Sequence, residues 1–174
     1  SVLASPGEDV VARDRLNAAG MLVLPGAIDP HVHGGYGEPH RETVTAVSMA
    51  AAAGGITTIL DQPLSNPSTV TAERLEKKIA DLSKESVVDF ALWGGLTPAN
   101  LDTMGELARR GAIGFKAFMC DSDPMFPGIN DAQLLSTLEY LKGTPYLFRL
   151  HAECDALLQY GLAMIQTLGR NESL

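Results

Sequence analysis

The sequence predicts an α/β protein built from about five βα units. Short runs rich in β-branched or aromatic residues alternate with helical patterns, and the runs begin about every 30 residues, the length of a βα unit in a parallel sheet. The runs are apolar almost throughout, as expected for strands that are covered on both faces. Two architectures fit this pattern: an open doubly wound sheet, or a partial β/α barrel, since a closed barrel needs eight units and about 250 residues.

Each predicted strand is followed by a predicted helix. The strands are expected at residues 21–31, 56–60, 86–95, 112–119 and 146–151. The helices are expected at residues 42–53, 72–83, 98–110, 131–142 and 155–168. Glycines stand at or just after the ends of four of these helices, where a left-handed residue commonly ends a helix.

Three helices have recognisable first turns. Thr71 is expected to cap the second helix, because a threonine hydroxyl accepts hydrogen bonds from the free N–H groups of a first turn. Thr97 followed by Pro98 predicts the start of the third helix, with proline at the first helical position. Asn130 and Gln133 have the spacing of a capping box before the fourth helix.

Composition limits the possible partners and compartment. The chain has 174 residues, 45% of them hydrophobic and 20% charged, which is typical of a soluble globular domain. Its formal net charge of −8 argues against nucleic acid and anionic membranes as partners. No apolar run reaches the roughly 18 residues of a membrane helix, and no signal peptide is expected. The two cysteines form no disulfide framework, which favours a cytoplasmic protein.

Reactive side chains lie where the predicted strands end. Active sites in both candidate architectures are found at the C-terminal ends of the strands. The side chains in question are His31, His33, Asp61, Asn66, Lys116, His151 and Glu153. The strand ends therefore predict one shared site.

His31 and His33 are two residues apart on the first strand, so their side chains point to the same face. Two neutral imidazoles on one face can bind zinc or a similar ion. The alternative is a chance His-x-His pair that is only hydrogen-bonded. The preceding Asp29-Pro30 and a third histidine at another strand end favour the metal site.

Lys116 lies in an apolar strand, between Phe115 and Ala117. Lysine is almost never buried without a partner, and burial lowers its pKa toward the neutral amine. A neutral buried amine can act as a nucleophile or accept a covalent modification. The alternative is that the side chain extends to the mouth of the sheet and keeps its charge in water.

Three further residues have open or structural interpretations. Asp61 could be a metal ligand, a proton shuttle or a partner of nearby backbone N–H groups, and the turn-rich segment after it favours the last of these. Arg149 shares the face of His151, so it needs either an acidic partner or an exposed edge strand. Trp93 is expected in the core.

Several segments together resemble the cyclic amidohydrolases, the family of dihydroorotases, dihydropyrimidinases, hydantoinases and allantoinases. The segments are GAIDPHVH, AAAAGGITTILDQP, FALWGGLTPANLD, GAIGFKAFM and LHAE, in collinear order. Allantoinases are the most similar subfamily, because they carry segments similar to EPHRE, WGGLTPANLD and FPGINDAQL at the same places. Gly35 stands where dihydroorotases have an arginine that holds the substrate carboxylate, which counts against that subfamily.

The resemblance implies a metal-dependent β/α barrel that holds two divalent ions, expected to be zinc. His31 and His33 would bind one ion, His151 the other, and a carbamylated Lys116 would bridge them. Asn66 is expected near a substrate-binding asparagine of the relatives. Water activated by the ions attacks the ring amide in such enzymes, and an aspartate from strand eight carries the proton to the leaving nitrogen.

The family pattern extends beyond these 174 residues. A further histidine ligand from strand six and the strand-eight aspartate have no counterpart here, so no catalytic acid–base residue is assigned in this chain. Residues 1–22 are expected to be a remnant of an N-terminal β-sandwich and linker, and residues 23–174 a partial catalytic barrel of strands one to five. We therefore expect a fragment of a longer protein that is inactive alone.

Three functions are compatible with this pattern. The first is hydrolysis of allantoin to allantoate, by a protein that forms homo-oligomers in its full-length form. The second is a hydantoinase or dihydropyrimidinase acting on another small cyclic amide. The third is a non-catalytic paralogue on the same fold, although such a protein would have no need of Lys116.

Overall fold

A computed structural model describes residues 13–14, 16–121 and 123–169. Five strands alternate with five helices along this part of the chain. The strands are β1 Ala27–Val32, β2 Ile56–Asp61, β3 Asp89–Gly95, β4 Ala112–Phe118 and β5 Leu147–His151. The helices are α1 Val44–Ala53, α2 Ala72–Glu85, α3 Met104–Arg109, α4 Asp131–Leu141 and α5 Asp155–Thr167.

The strands form one parallel sheet in the order β1-β2-β3-β4-β5. A doubly wound sheet reverses its strand order at a switch point, whereas a β/α barrel adds each strand beside the previous one. The sequential order therefore selects the barrel, of which the chain forms five βα units, or a half-barrel. The fold prediction is confirmed.

Most helix ends follow their local sequence signals. The Thr71 hydroxyl accepts a hydrogen bond from the Arg74 N–H, as expected for a cap of α2. Asn130 and Gln133 form the predicted capping box at the start of α4. Gly143 lies just beyond α4 with a φ of 79°, in the left-handed region that glycine adopts without strain.

The predicted start of α3 at Thr97 and Pro98 is wrong. The Asn100 amide oxygen instead accepts hydrogen bonds from the Thr97 N–H (2.7 Å) and hydroxyl (3.0 Å), and its NH₂ group donates to the carbonyls of Val70 and Gly95. These contacts fix a turn, which is followed by a short 3₁₀ segment and then by α3 itself. Long-range hydrogen bonds of one asparagine thus override a local helix signal.

The first strand is shorter than predicted, because it begins at Ala27 rather than Met21. Ala27 pairs with Ile56, the first residue of β2, so the ladder between the two strands begins at these residues. Their side chains are exposed, with Met21 at 70% and Leu22 at 82%. A β-rich sequence without a partner strand does not become part of the sheet.

The core lies between the sheet and helices α1 to α4. Its fully buried side chains include Leu75, Leu92, Leu107 and Phe115, with Trp93 also in the interior as predicted. Both edge strands are more exposed than this core: Ile28 on β1 is 63% exposed and Leu147 on β5 is 57% exposed. Helix α5 has no buried residue. The centre of the sheet is packed and its margins are open.

The proposed division of the chain stays a prediction. Residues 1–12 and 15 of the expected sandwich remnant lie outside the described residues. Within the part that the structure describes, no helix is long and apolar enough to cross a membrane.

Candidate metal centre

The four predicted metal ligands line one cavity at the C-terminal ends of the strands. The cavity has a volume of about 380 Å³. His31, His33, Lys116 and His151 are all in its wall. The other residues lining it are Arg41, Gln62, Pro63, Leu64, Phe118 and Asp123. Strands β1, β4 and β5 therefore bring together side chains that are up to 120 positions apart in the sequence, counting from His31 to His151.

His31 and His33 stand side by side, His31 near the end of β1 and His33 just beyond it. Their ring centroids are 5.4 Å apart, and the ring planes are tilted by 45°. Desolvation in the cavity lowers the pKa of both imidazoles, and for His31 the neighbouring His33, Lys116 and Arg149 lower it further. A lowered pKa favours the neutral imidazole, which is the form that binds a metal ion.

Lys116 is buried on β4, with only 5% of its surface exposed. Its Nζ lies 4.8 Å from the centroid of the Phe118 ring. Burial lowers the pKa of the amine, and Arg149 lowers it further, against an opposing effect of Glu153. The expected burial of this lysine is confirmed, and burial makes its ammonium form easier to deprotonate than that of an exposed lysine.

His151 ends β5 and stacks on Phe118, with ring centroids 4.9 Å apart. Its Nε2 contacts a carboxylate oxygen of Glu153. The other oxygen of Glu153 accepts from the Cys120 thiol at 3.6 Å. Burial alone would raise the pKa of Glu153, but hydrogen bonds from its own backbone N–H and from His151 hold that pKa below its usual range.

Arg149 has partners other than an acid. Its Nη1 donates to the Pro30 carbonyl at 3.0 Å, and its guanidinium lies 4.7 Å from the Trp93 ring centroid. Among the described residues, no carboxylate lies within ion-pair distance of it. β5 is an edge strand and Arg149 is only half-buried. Of the two predicted possibilities, an acidic partner or an exposed edge strand, the structure therefore shows the exposed edge strand.

Asp61 is a partner of backbone N–H, as its turn-rich surroundings favoured. Its Oδ1 accepts from the Gly34 N–H at 2.7 Å, directly after His33. Its Oδ2 is 2.5 Å from the ammonium of Lys78 on α2, and both side chains are almost fully buried. Lys78 was missed by the sequence reasoning, although a signal was present: Leu75, Lys78 and Leu82 share one helical face.

Asn66 lies in a different cavity, of about 610 Å³. Its backbone N–H donates to the Tyr36 carbonyl at 3.1 Å. Three residues, Arg41, Leu64 and Asp123, line both cavities and so connect them. The proposed substrate contact of Asn66 is not tested by this position and stays a prediction.

Unmodified side chains do not complete a metal site here. Within the described ranges, no group of three or more His, Cys, Asp or Glu side chains is close enough to hold an ion. A lysine ammonium has no lone pair to donate, but a carbamate on Lys116 would add two carboxylate-like oxygens beside the histidines. Imidazoles and a carbamate are donor types that would suit a divalent ion such as zinc.

Similar proteins share this segment. An allantoinase from Bacillus velezensis is 42% identical over 163 residues, which are 91% of this chain and 36% of that protein. An L-hydantoinase from Paenarthrobacter aurescens is 32% identical over 177 residues, 97% of this chain and 38% of that protein. No protein-family model matches the chain.

A solved structure has the same fold. The L-hydantoinase (dihydropyrimidinase) from Arthrobacter aurescens superposes with a TM-score of 0.85 at 33% identity, over 92% of this chain and 36% of that one. The chain thus spans about a third of the length of the relatives it matches.

Proposed function

Because this chain is a homologue of the allantoinases and hydantoinases, the cyclic amidohydrolases, over about a third of their length, we propose that the whole protein opens a cyclic amide by metal-dependent hydrolysis. Allantoin, opened to allantoate, is the proposed substrate. Support comes from the 42% identity to allantoinases from several bacteria. The proposal includes a cytoplasmic location and a homo-oligomer.

One observation carries the proposal: a buried lysine shares a cavity with three histidines. The neutral amine of Lys116 would add to carbon dioxide and release one proton, which gives an N-carboxylate. His31 and His33 would hold one divalent ion, His151 would hold a second, and the carbamate oxygens would contact both. When bound, such ions polarise a carbonyl and lower the pKa of water.

The chain's own residues shape the site around these ligands. Phe118 stacks on His151 and lies beside the Lys116 amine, so it limits the motion of both side chains and keeps the amine out of water. Glu153 accepts a hydrogen bond from His151 and would orient its imidazole. Arg41 and Asp123 line both cavities and would be polar groups available to a substrate there.

A hydantoinase is the second candidate. It is supported by the L-hydantoinase likeness in both sequence and structure. The two candidates differ in the ring they open, so the full-length protein loaded with Zn²⁺ should be assayed on allantoin, hydantoin and dihydrouracil. We expect the highest kcat/KM for allantoin. A preference for hydantoin would establish the second candidate, and no opening of any of the three rings would refute the proposal.

Substitution of Lys116 tests its proposed role in ring opening, with an exposed lysine as the control. Lys116→Ala should abolish ring opening, whereas Lys84→Ala, at an exposed lysine, should leave it unchanged. A short carboxylic acid such as propionate should restore part of the activity of Lys116→Ala, because its carboxylate replaces that of the carbamate. Full activity of Lys116→Ala without added acid would contradict the proposed role of Lys116.

A further inference from the structure

Lys78 is a charged side chain in the protein interior, with no exposed surface. Its ammonium lies 2.5 Å from Asp61 Oδ2, 3.0 Å from the Gln62 carbonyl and 3.2 Å from the Ser65 hydroxyl. These three partners match the three N–H donors of an ammonium group. Each N–H donor of the ammonium therefore has an acceptor, and helix α2 is tied to the end of β2.

The other side of this ion pair holds the chain around His33. The Gly34 N–H donates to Asp61 Oδ1 at 2.7 Å, and the Gln62 N–H donates to the Val32 carbonyl at 2.8 Å. The residues immediately before and after His33 are thus both fixed by the end of β2. A Cβ atom on Gly34 would lie 3.1 Å from Asp61 Oδ1, so a larger residue at this position would press on the carboxylate.

A buried ion pair is weak evidence for a stabilising role, because well-packed apolar residues often replace such a pair without loss of stability. An apolar residue at position 61, however, could not accept the Gly34 N–H. The Asp61 carboxylate pairs with the Lys78 ammonium through one oxygen and accepts the Gly34 N–H with the other.

We propose that Asp61 and Lys78 are positioning residues that hold His33 beside His31 before any ion binds. The inference rests on the proposed role of the two histidines as metal ligands. Lys78 fixes the Asp61 carboxylate, and the carboxylate fixes the backbone on which the His33 imidazole is carried. Neither residue lines the cavity that holds the four predicted ligands.

Two double variants of the full-length protein test the proposal, since both remove the two charges. Asp61→Asn with Lys78→Met keeps an amide oxygen that can accept the Gly34 N–H. Asp61→Leu with Lys78→Met has no such acceptor. The metal-free forms of both are compared by thermal unfolding, and Zn²⁺ affinity is measured by competition with a chromophoric chelator.

We expect the leucine variant to bind Zn²⁺ at least about tenfold more weakly than wild type, the usual size of effects from residues behind the ligands. The asparagine variant should stay within about threefold of wild type, because its hydrogen bond to Gly34 is retained. The Co²⁺ absorption bands should change in the leucine variant alone. Equal Zn²⁺ affinity and equal Co²⁺ spectra in both variants would overturn the inference.

A measurement on the wild type covers the case in which the leucine variant does not fold. The Gly34 amide should exchange slowly with deuterium in the metal-free protein, and free exchange would overturn the inference. The two proposals fail separately. A wild type that binds no Zn²⁺ refutes the metal site, whereas a wild type that binds Zn²⁺ no better than the leucine variant refutes only the positioning role.

Discussion

Arg149 donates a hydrogen bond of 3.0 Å to the carbonyl of Pro30, although 119 positions separate the two residues. This contact joins β5 to β1, the two edge strands of the half-barrel. The same carbonyl accepts from the Trp93 indole N–H at 3.2 Å, and the guanidinium lies over the Trp93 ring. Pro30 directly precedes His31, so Arg149 helps to fix the strand that carries the histidine pair.

Replacing Arg149 should therefore loosen β1. We expect Arg149→Met to lower the free energy of unfolding by about 1 kcal/mol, from the lost hydrogen bond and ring contact at a half-buried position. Arg149→Lys should recover only part of the loss, because an ammonium lacks the flat guanidinium surface. Urea unfolding of the full-length variants measures the effect, and a methionine variant as stable as wild type would show that the contact contributes nothing.

Acid should weaken the contact between α2 and the loop that follows the histidine pair. Hydrogen bonds from Lys77 and Tyr36 hold the pKa of the partly buried Asp81 carboxyl below its usual value. A lowered pKa in the folded state contributes stability above the pKa of the unfolded chain, and this contribution is lost as pH falls through the folded-state value.

We expect Asp81→Asn to reduce that acid dependence, because an amide in place of the carboxyl does not titrate in this range. Melting temperatures of wild type and variant, measured from pH 7 down to pH 3, test this expectation. Curves that stay parallel over the whole range would argue against any linkage through Asp81.

Features that follow from regular strand geometry can be predicted from the sequence, whereas features that depend on long-range contacts cannot. The common cavity of His31, His33, Lys116 and His151 could be predicted, because strand alternation and a parallel sheet place such side chains by rules that need no tertiary detail. The start of α3 could not be predicted in this way, because it depends on a hydrogen bond from the Asn100 side chain to the Val70 carbonyl. No local sequence pattern reveals that contact.

The partners of the two buried or half-buried cations illustrate the same limit. The position of Arg149 on the face of His151 predicts that it needs a partner, but which partner it finds, a backbone carbonyl of β1, depends on the folded sheet. Lys78 could have been suspected from its place on the apolar face of α2, between Leu75 and Leu82. Its pairing with Asp61 depends on how that helix packs on β2.

The isolated 174-residue chain should be prone to association. Both edge strands are open, and large apolar side chains of α5 are exposed, including Leu157 at 70% and Tyr160 at 65%. We expect light scattering to detect concentration-dependent assemblies and an allantoin assay to detect no turnover. A monomeric isolated chain that opens allantoin would contradict the requirement for further βα units.

The most direct test of the metal centre is the metal content of the full-length protein and its Lys116→Ala variant, both purified from zinc-supplemented cells. The proposed bridging carbamate predicts about two ions per chain in wild type, in the arrangement of two-metal hydrolases, and a clear loss of bound metal in the variant. Growth with ¹³C-labelled bicarbonate should also give a carbamate NMR signal in wild type alone. Equal metal content in the two proteins would contradict the bridging role of Lys116.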